Sequence, residues 1–382
     1  MWNWRPHSHG LAAVQHQRHG KLIVLFWMAQ TLLPVGAQPA AAPQAPISTS
    51  PAGSTVVAVY SGTGEAYEQA AQAFEKSLSQ ALRQDGKVAV FARSNVPADN
   101  LPLTPMQPPP RLHIALGVQA CAQLARQTLS ALAGAPVLCT LLPRQSFEYL
   151  MREAGRRAGP EFSALYLNQP LARQLDLIRL ALPQARRVGV LVGTVPGALQ
   201  MEEQLAELAR ERGLRLVSAR LGVNDPIFPG LKQVLDESDV LLAMADPQIY
   251  NSHTIQNILL ASFRAKVPMQ AFSPAYVRAG ALLALYATPE QIGAQVALLV
   301  RDALTEQNGK ARGLGLPQYT QWFEVSVNAH VARSLGLQLD AADLAERLRR
   351  LESRGGQERK SSAWPLDSSH HLAQTGAQEE SR

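Results

Sequence analysis

The segment from Asp239 to Gly293, DVLLAMADPQIYNSHTIQNILLASFRAKVPMQAFSPAYVRAGALLALYATPEQIG, decides the fold class. It reads as strand, polar loop, helix, strand, polar loop. Apolar runs of strand length, a turn bearing Asp246 and Pro247, and a helix-length segment form the signature of a parallel sheet. Loops at the carboxyl ends of such strands bind ligands. The loops here carry Asp246, Tyr250, Phe272, Ser273 and Tyr276.

The same alternation extends toward the amino end. TVVAVY (55–60), KVAVFA, LHIALG and APVLCTLL read as strands, with helix-period segments at 61–84 and 119–134. A second series begins near Ser163 with SALYLN, a helix from Pro170 to Leu182, RRVGVLVG, a helix from Ala198 to Arg212, and LRLVSARL. Repeated strand and helix alternation buries a parallel sheet between two layers of helices. Two such series predict an α/β chain of two similar lobes. The proline-rich stretch from Pro97 to Pro110 interrupts the first series and reads as a surface loop.

The ends carry a different pattern. Arg5, Arg18 and Lys21 precede an apolar run from Leu22 to Leu33, and Val35-Gly36-Ala37 offers small residues for cleavage. This reads as a secretory signal peptide over residues 1–37. A run of about a dozen apolar residues falls short of the roughly 20 that span a bilayer, so an uncleaved anchor is the weaker alternative. No cysteine follows for lipid attachment. Residues 38–53 read as a disordered linker and 352–382 as a disordered tail, both too polar or too small-residue-rich to bury a core. The formal charge of +6 includes three cations of residues 1–37, which hold no acid, so the remainder carries +3. Cations alternate with acids along the helices and no basic stripe with aromatics appears, so nucleic acid is not an expected partner.

Cys121 and Cys139 lie toward the same edge of the predicted sheet, in a chain expected to enter a compartment that permits disulfides. They read either as a bridge closing a short loop or as free, buried small hydrophobes. Catalytic patterns are absent: the sequence holds no G-x-S-x-G elbow, Walker loop or H-E-x-x-H. Of nine histidines, only His113, His253 and His330 fall in the predicted fold, and they lack metal-ligand spacing. No catalytic residue, metal site or cofactor is expected. The Ser-Gly-Thr-Gly after the first strand resembles a flavodoxin phosphate loop only superficially, with no flavin-contacting pattern elsewhere.

VPMQAF, SPAYVRAGALLAL, ATPEQIG and VSVNAHVARSLGLQL resemble the ABC-transporter substrate-binding protein family of the type I periplasmic-binding fold. They are most similar to its branch of mostly uncharacterised members, related to binders of aromatic amino acids. The resemblance runs from about Ser54 to Leu351 and is strongest after Ser163. It implies three crossings between lobes, with residues 54–162 and 278–316 in lobe one and 163–277 and 317–351 in lobe two. Gly117-Val118-Gln119-Ala120 and LLPRQSFEYL depart from the family's usual loops in lobe one.

Strand ends and helix amino termini that face the cleft provide the candidate site. Lobe one offers Tyr60, Ser61, Gly117, Gln119 and Arg144; lobe two offers Tyr166, Gln169, Thr194, Asp246, Tyr250, Phe272, Ser273 and Tyr276. Aromatics make up only 6% of the chain, so their gathering at predicted strand ends points to an organic ligand rather than a bare ion. Each could instead be core packing. Arg144 could grip a carboxylate and Asp246 an ammonium group, as an amino-acid-like zwitterion requires; equally, Arg144 could cap a helix and Asp246 a turn.

The resemblance implies a non-enzymatic, monomeric, periplasmic solute-binding protein. Its lobes would close on a small-molecule ligand and deliver it to an inner-membrane ABC permease. A periplasmic sensor signalling to an envelope receptor is the alternative from another class, and a flavodoxin-like enzyme a more distant one.

Overall fold

Short, β-branched apolar runs separated by helix-period segments give two six-stranded sheets in a computed structural model that describes residues 54–95, 106–307, 310–311 and 313–361. The expected signal peptide and linker, and the proline-rich stretch up to residue 105, lie outside the described residues. In chain order come β1 (Ser54–Ser61), α1 (Glu65–Gln84), β2 (Val88–Asn95), β3 (Leu112–Leu116), α2 (Val118–Arg126), β4 (Val137–Thr140), α3 (Arg144–Glu153), β5 (Phe162–Tyr166) and α4 (Leu171–Ala181). They are followed by β6 (Arg187–Val192), α5 (Ala198–Glu211), β7 (Arg215–Arg220), α6 (Ile227–Glu237), β8 (Val240–Leu242), α7 (Ile255–Arg264), β9 (Met269–Ala271), α8 (Pro274–Ala279) and β10 (Leu283–Tyr286). The remainder is α9 (Pro289–Leu304), β11 (Glu306–Gln307), β12 (Lys310–Ala311), β13 (Gln318–Tyr319), β14 (Glu324–Val327), α10 (Ala329–Ser334) and α11 (Ala341–Ser361).

The first sheet runs β13-β5-β4-β3-β1-β2 and is parallel throughout. The second runs β14-β10-β9-β8-β6-β7 and is parallel except for its antiparallel edge strand β14. Sheets covered by helices on both faces need strands that are apolar on both sides. Every residue of β3, β4, β5, β8 and β9 is accordingly buried. Separate apolar clusters fill the two faces of each sheet. The protein is a two-lobe α/β molecule.

The lobe boundaries read from the sequence shift in three places. β5 pairs with β4 in the first sheet, so the chain leaves lobe one after Tyr166 and not at residue 162. β10 pairs with β9 and β14 in the second sheet, so the return to lobe one follows Tyr286 and not residue 277. β13 joins β5 in the first sheet, so the last crossing lies between Tyr319 and Glu324. An apolar strand looks the same in either lobe; its hydrogen-bonded neighbour decides where it belongs.

Helix α9 does return to the first lobe, where it packs on α1 through Ile292, Val296 and Val300 against Ala70 and Phe74. The approach is close enough that a Cβ on Gly293 would lie 2.2 Å from the carbonyl oxygen of Ala70. Thr288 caps α9 in a reciprocal box with Gln291, and Ser273 caps α8 ahead of Pro274. Cys121 of α2 and Cys139 of β4 are joined in a disulfide inside the lobe-one core, which decides between the bridged and free readings.

The carboxyl segment also differs from expectation. Instead of becoming a disordered tail at residue 352, α11 continues to Ser361, and Glu352 forms an ion pair with Arg173 at 2.5 Å. Residues 362–382 lie outside the described residues.

Candidate functional site

Strand ends and helix starts of the two sheets enclose a cleft of about 1250 Å³. That exceeds the roughly 300–1,000 Å³ of most small-molecule sites, so a modest organic solute fits with space to spare. The first lobe supplies Glu65 and Gln69 from the first turns of α1, and Gln145, Ser146 and Tyr149 from α3. Glu290 at the start of α9 adds a second carboxylate. The second lobe supplies Gly193 after β6, Asp246 and Tyr250 after β8, Phe272 and Ser273 just ahead of α8, and Arg278 from its last turn. Asn168, Gln169 and Tyr286 line it where the chain crosses between lobes.

Asp246 is built into its loop by backbone groups. Its Oδ1 accepts the Gln248 N–H at 2.9 Å, and its carbonyl accepts the N–H groups of Ile249 and Tyr250. Its other carboxylate oxygen lies against Gly193, where a Cβ would come within 2.3 Å. Only 5% of Asp246 is exposed. Burial raises its pKa above the ordinary carboxylate value, and the backbone N–H groups of Gln248, Ile249 and Gly193 oppose that rise. Asp246 is therefore both a turn residue and part of the cleft wall. Thr194, by contrast, gives its N–H and hydroxyl to Gln248 Oε1 and is not among the lining residues.

The aromatic wall belongs to the second lobe. Tyr250 and Phe272 meet edge to face at 6.2 Å, and Phe272 and Tyr276 at 5.0 Å. Tyr276 buttresses this wall from outside the cleft, donating its hydroxyl to the Tyr250 carbonyl at 3.3 Å. Tyr250 is only 4% exposed, and its hydroxyl has no hydrogen-bond partner among the described residues. Burial first, and the nearby Asp246 carboxylate second, raise its pKa, so the phenol stays protonated.

Several expected site residues of the first lobe turn into core. Tyr60 is buried against His113, with ring centres 5.8 Å apart. Tyr166, which ends β5 in the first sheet, is buried between Phe147 and Tyr319, and burial pushes its pKa up to about 12. Ser61 ends β1 between Asn95 and Leu116, and Gln119 is exposed on α2; neither lines the cleft. Gly117 serves packing: its φ is +93°, and a Cβ there would lie 2.8 Å from the Tyr67 ring. Arg144 bonds Glu148 at 2.6 Å and is held protonated chiefly by Tyr319, so its guanidinium is engaged within lobe one, outside the cleft lining. Gln169, Asp246, Tyr250, Phe272 and Ser273 are the expected residues that do meet in the cleft.

The first-lobe rim escaped the sequence reading because it comes from helix faces rather than strand-end loops. Glu65 and Gln69, bonded to each other at 2.9 Å, mark a helix face that their i,i+4 spacing could have revealed. Arg278 and Glu290 carried no comparable signal.

At the crossing, Gln169 is 3% exposed and Arg173 7%. Arg173 Nη1 donates to Gln169 Oε1 at 2.6 Å and to the Thr320 carbonyl at 3.1 Å. Its Nε and Nη2 donate to Glu352, and its guanidinium lies 4.6 Å from the Phe323 ring centre. Thr320 in turn donates to Gln295 of α9 at 3.0 Å. The network ties two lobe crossings to α11.

Two covered sheets with a ligand-sized cleft where the chain crosses between them define the type I periplasmic-binding fold. Residues 157–346 match the family model described as ABC transporter substrate binding protein, which places this part of the chain in that family. Among solved structures, the ligand-free, open form of a substrate binding protein with adhesive properties from Clostridium difficile is similar at 16% identity. Its TM-score is 0.58, covering 75% of this chain and 96% of that one. A conserved domain protein from Vibrio cholerae O1 biovar El Tor is similar at 23% identity and a TM-score of 0.51, covering 76% of this chain and 97% of that one. No curated protein matches the sequence. No helix among the described residues is long and apolar enough to cross a membrane.

Proposed function

We propose that the protein is the periplasmic solute-binding component of an ABC importer. It captures a small organic solute, aromatic or amino-acid-like, by closure of the two lobes and presents it to an inner-membrane permease. The observation that carries this reading is the second-lobe wall, where Asp246, with its buried carboxylate, Tyr250, whose buried phenol has no hydrogen-bond partner among the described residues, and Phe272 line one cleft. Buried polar groups without partners are costly, and a solute that hydrogen-bonds them recovers that cost. With the opposite wall on the other lobe, full contact requires both lobes, so binding favours the closed form. The Cys121–Cys139 disulfide supports an oxidising compartment.

The test is a thermal-shift screen of residues 38–382 against amino acids, nucleobases, small carboxylates and sugars. A solute at 100 times its Kd adds about 2.7 kcal/mol, enough to raise Tm by several degrees. A hit that disappears in both Asp246→Ala and Tyr250→Ala is the expected result. A hit untouched by either substitution would remove the cleft from the reading.

A further inference from the structure

Gln169 stands where the first crossing meets the cleft, and its carboxamide has two unlike ends. Its oxygen accepts from Arg173, while its Nε2 is buried and has no partner among the described residues. The hydrogen-bond network decides which way the carboxamide points. A guanidinium has donors only, so turning the carboxamide over would set NH2 against N–H. Arg173 itself cannot turn away: Glu352 takes Nε and Nη2, the Thr320 carbonyl shares Nη1, and Phe323 lies beneath the guanidinium plane. The backbone carbonyl of Gln169 is occupied as well, accepting from Gln174 Nε2 at 3.3 Å. The crossing therefore holds a buried donor of fixed polarity in a side chain that lines the cleft, and Tyr250, which also lines it, has a buried hydroxyl with no hydrogen-bond partner among the described residues.

We infer that Gln169 is a solute-reading residue whose NH2 is aimed by Arg173 and Glu352, and that the site takes an aromatic solute bearing a carbonyl or carboxylate oxygen at this end. The inference rests on the solute-binding reading above and adds the polarity of the group recognised. An ammonium group would meet Gln169 donor to donor. The expected zwitterion grip through Arg144 is replaced by this neutral donor, since Arg144 is engaged with Glu148 and Tyr319. Arg173 and Glu352 are positioning residues: neither lines the cleft.

The experiment compares two matched triplets by thermal shift and calorimetry on residues 38–382. These are 3-phenylpropanoate, 3-phenylpropanamide and 3-phenylpropylamine, and indole-3-propionate, indole-3-propionamide and tryptamine. The acid or the amide of a triplet should bind at least tenfold more tightly than its amine, and which of them binds better separates carboxylate from carbonyl recognition. Gln169→Leu should weaken the preferred probe roughly tenfold, the loss of one buried hydrogen bond. Gln169→Glu, which turns the donor into an acceptor, should move the preference toward the amine. Glu352→Gln should shrink the acid-to-amine ratio, which a merely structural role would leave unchanged while lowering Tm. Equal or tighter binding of the amines to the unsubstituted protein overturns the inference. So does a preference that survives Gln169→Leu. No shift with any of the six probes also overturns it, whereas a hit elsewhere in the broad solute screen would still leave the binding-protein reading standing.

Discussion

Gly193 and Asp246, on different strand-end loops, are in such close contact that a single Cβ on the glycine would fall 2.3 Å from the aspartate's Oδ2. The absence of a side chain at 193 is what lets a buried carboxylate sit at the cleft wall. Gly193→Ala must therefore displace the Asp246 loop. We expect a loss of about 1–3 kcal/mol in stability, the usual cost of overpacking, together with loss of any solute found in the screen. Chemical denaturation measures the first and calorimetry the second. Unchanged solute affinity in Gly193→Ala would show that Asp246 is not read by the solute.

Asp246 also sets a pH dependence whose sign is fixed. Its folded pKa is raised above the ordinary value of 3.8, chiefly by burial, so the folded state binds a proton more readily than the unfolded chain. Its contribution to stability is fully present below the unfolded pKa and is lost as pH rises through the folded value. Melting curves across the mildly acidic range should show the solute-free protein losing stability with rising pH through this group. Asp246→Asn, which cannot titrate, should remove that part of the slope; identical slopes in both proteins would contradict the assignment.

The bridge between Cys121 and Cys139 spans 18 residues of sequence. In the chain-entropy account a loop of that size contributes about 3 kcal/mol. Reduction, or the paired substitution Cys121→Ala with Cys139→Ala, should lower the denaturant midpoint by a corresponding amount. Because both cysteines lie within lobe one, solute affinity of the folded protein should change far less than stability.

Ending the chain at Leu351 removes Glu352 from Arg173. Arg173 would keep Gln169 and the Thr320 carbonyl but lose its counter-charge. The expected cost is about 1–2 kcal/mol, below the roughly 3–5 kcal/mol of a fully buried broken pair because the Glu352 side chain is about one-third exposed. Urea unfolding of the shortened protein checks this, and an unaltered midpoint would return residues beyond 351 to the status of a dispensable tail.

The alternation of strand and helix was legible because each segment carries its own period, and the elements from 163 to 293 fall close to where the sequence puts them. Lobe membership was less so. β5, β10 and β13 differ from their neighbours only in which strand they pair with. The second-lobe lining of the cleft was readable, since Phe272 and Ser273 directly follow β9 and Asp246 and Tyr250 lie in the loop after β8. Tyr60 and Tyr166 misled because they lie within the last residues of their strands, where side-chain parity decides between core and cleft. Beyond the i,i+4 spacing of Gln169 and Arg173, the crossing network left no local trace: Arg173 finds Thr320 across 147 positions and Glu352 across 179.

The placement of β13 has a consequence for how the molecule comes into being. The first sheet takes its edge strand from Gln318–Tyr319, and its helical cover α9 ends only at Leu304. A nascent chain that has already completed β1 through β5 thus still lacks the pieces that finish its first lobe, and the second waits for β14 at Glu324–Val327. The first lobe is completed only at β13, shortly before the second receives β14, and neither can be separated from the other by a single cut in the gene. Such a chain remains unfinished until nearly all of it has been made.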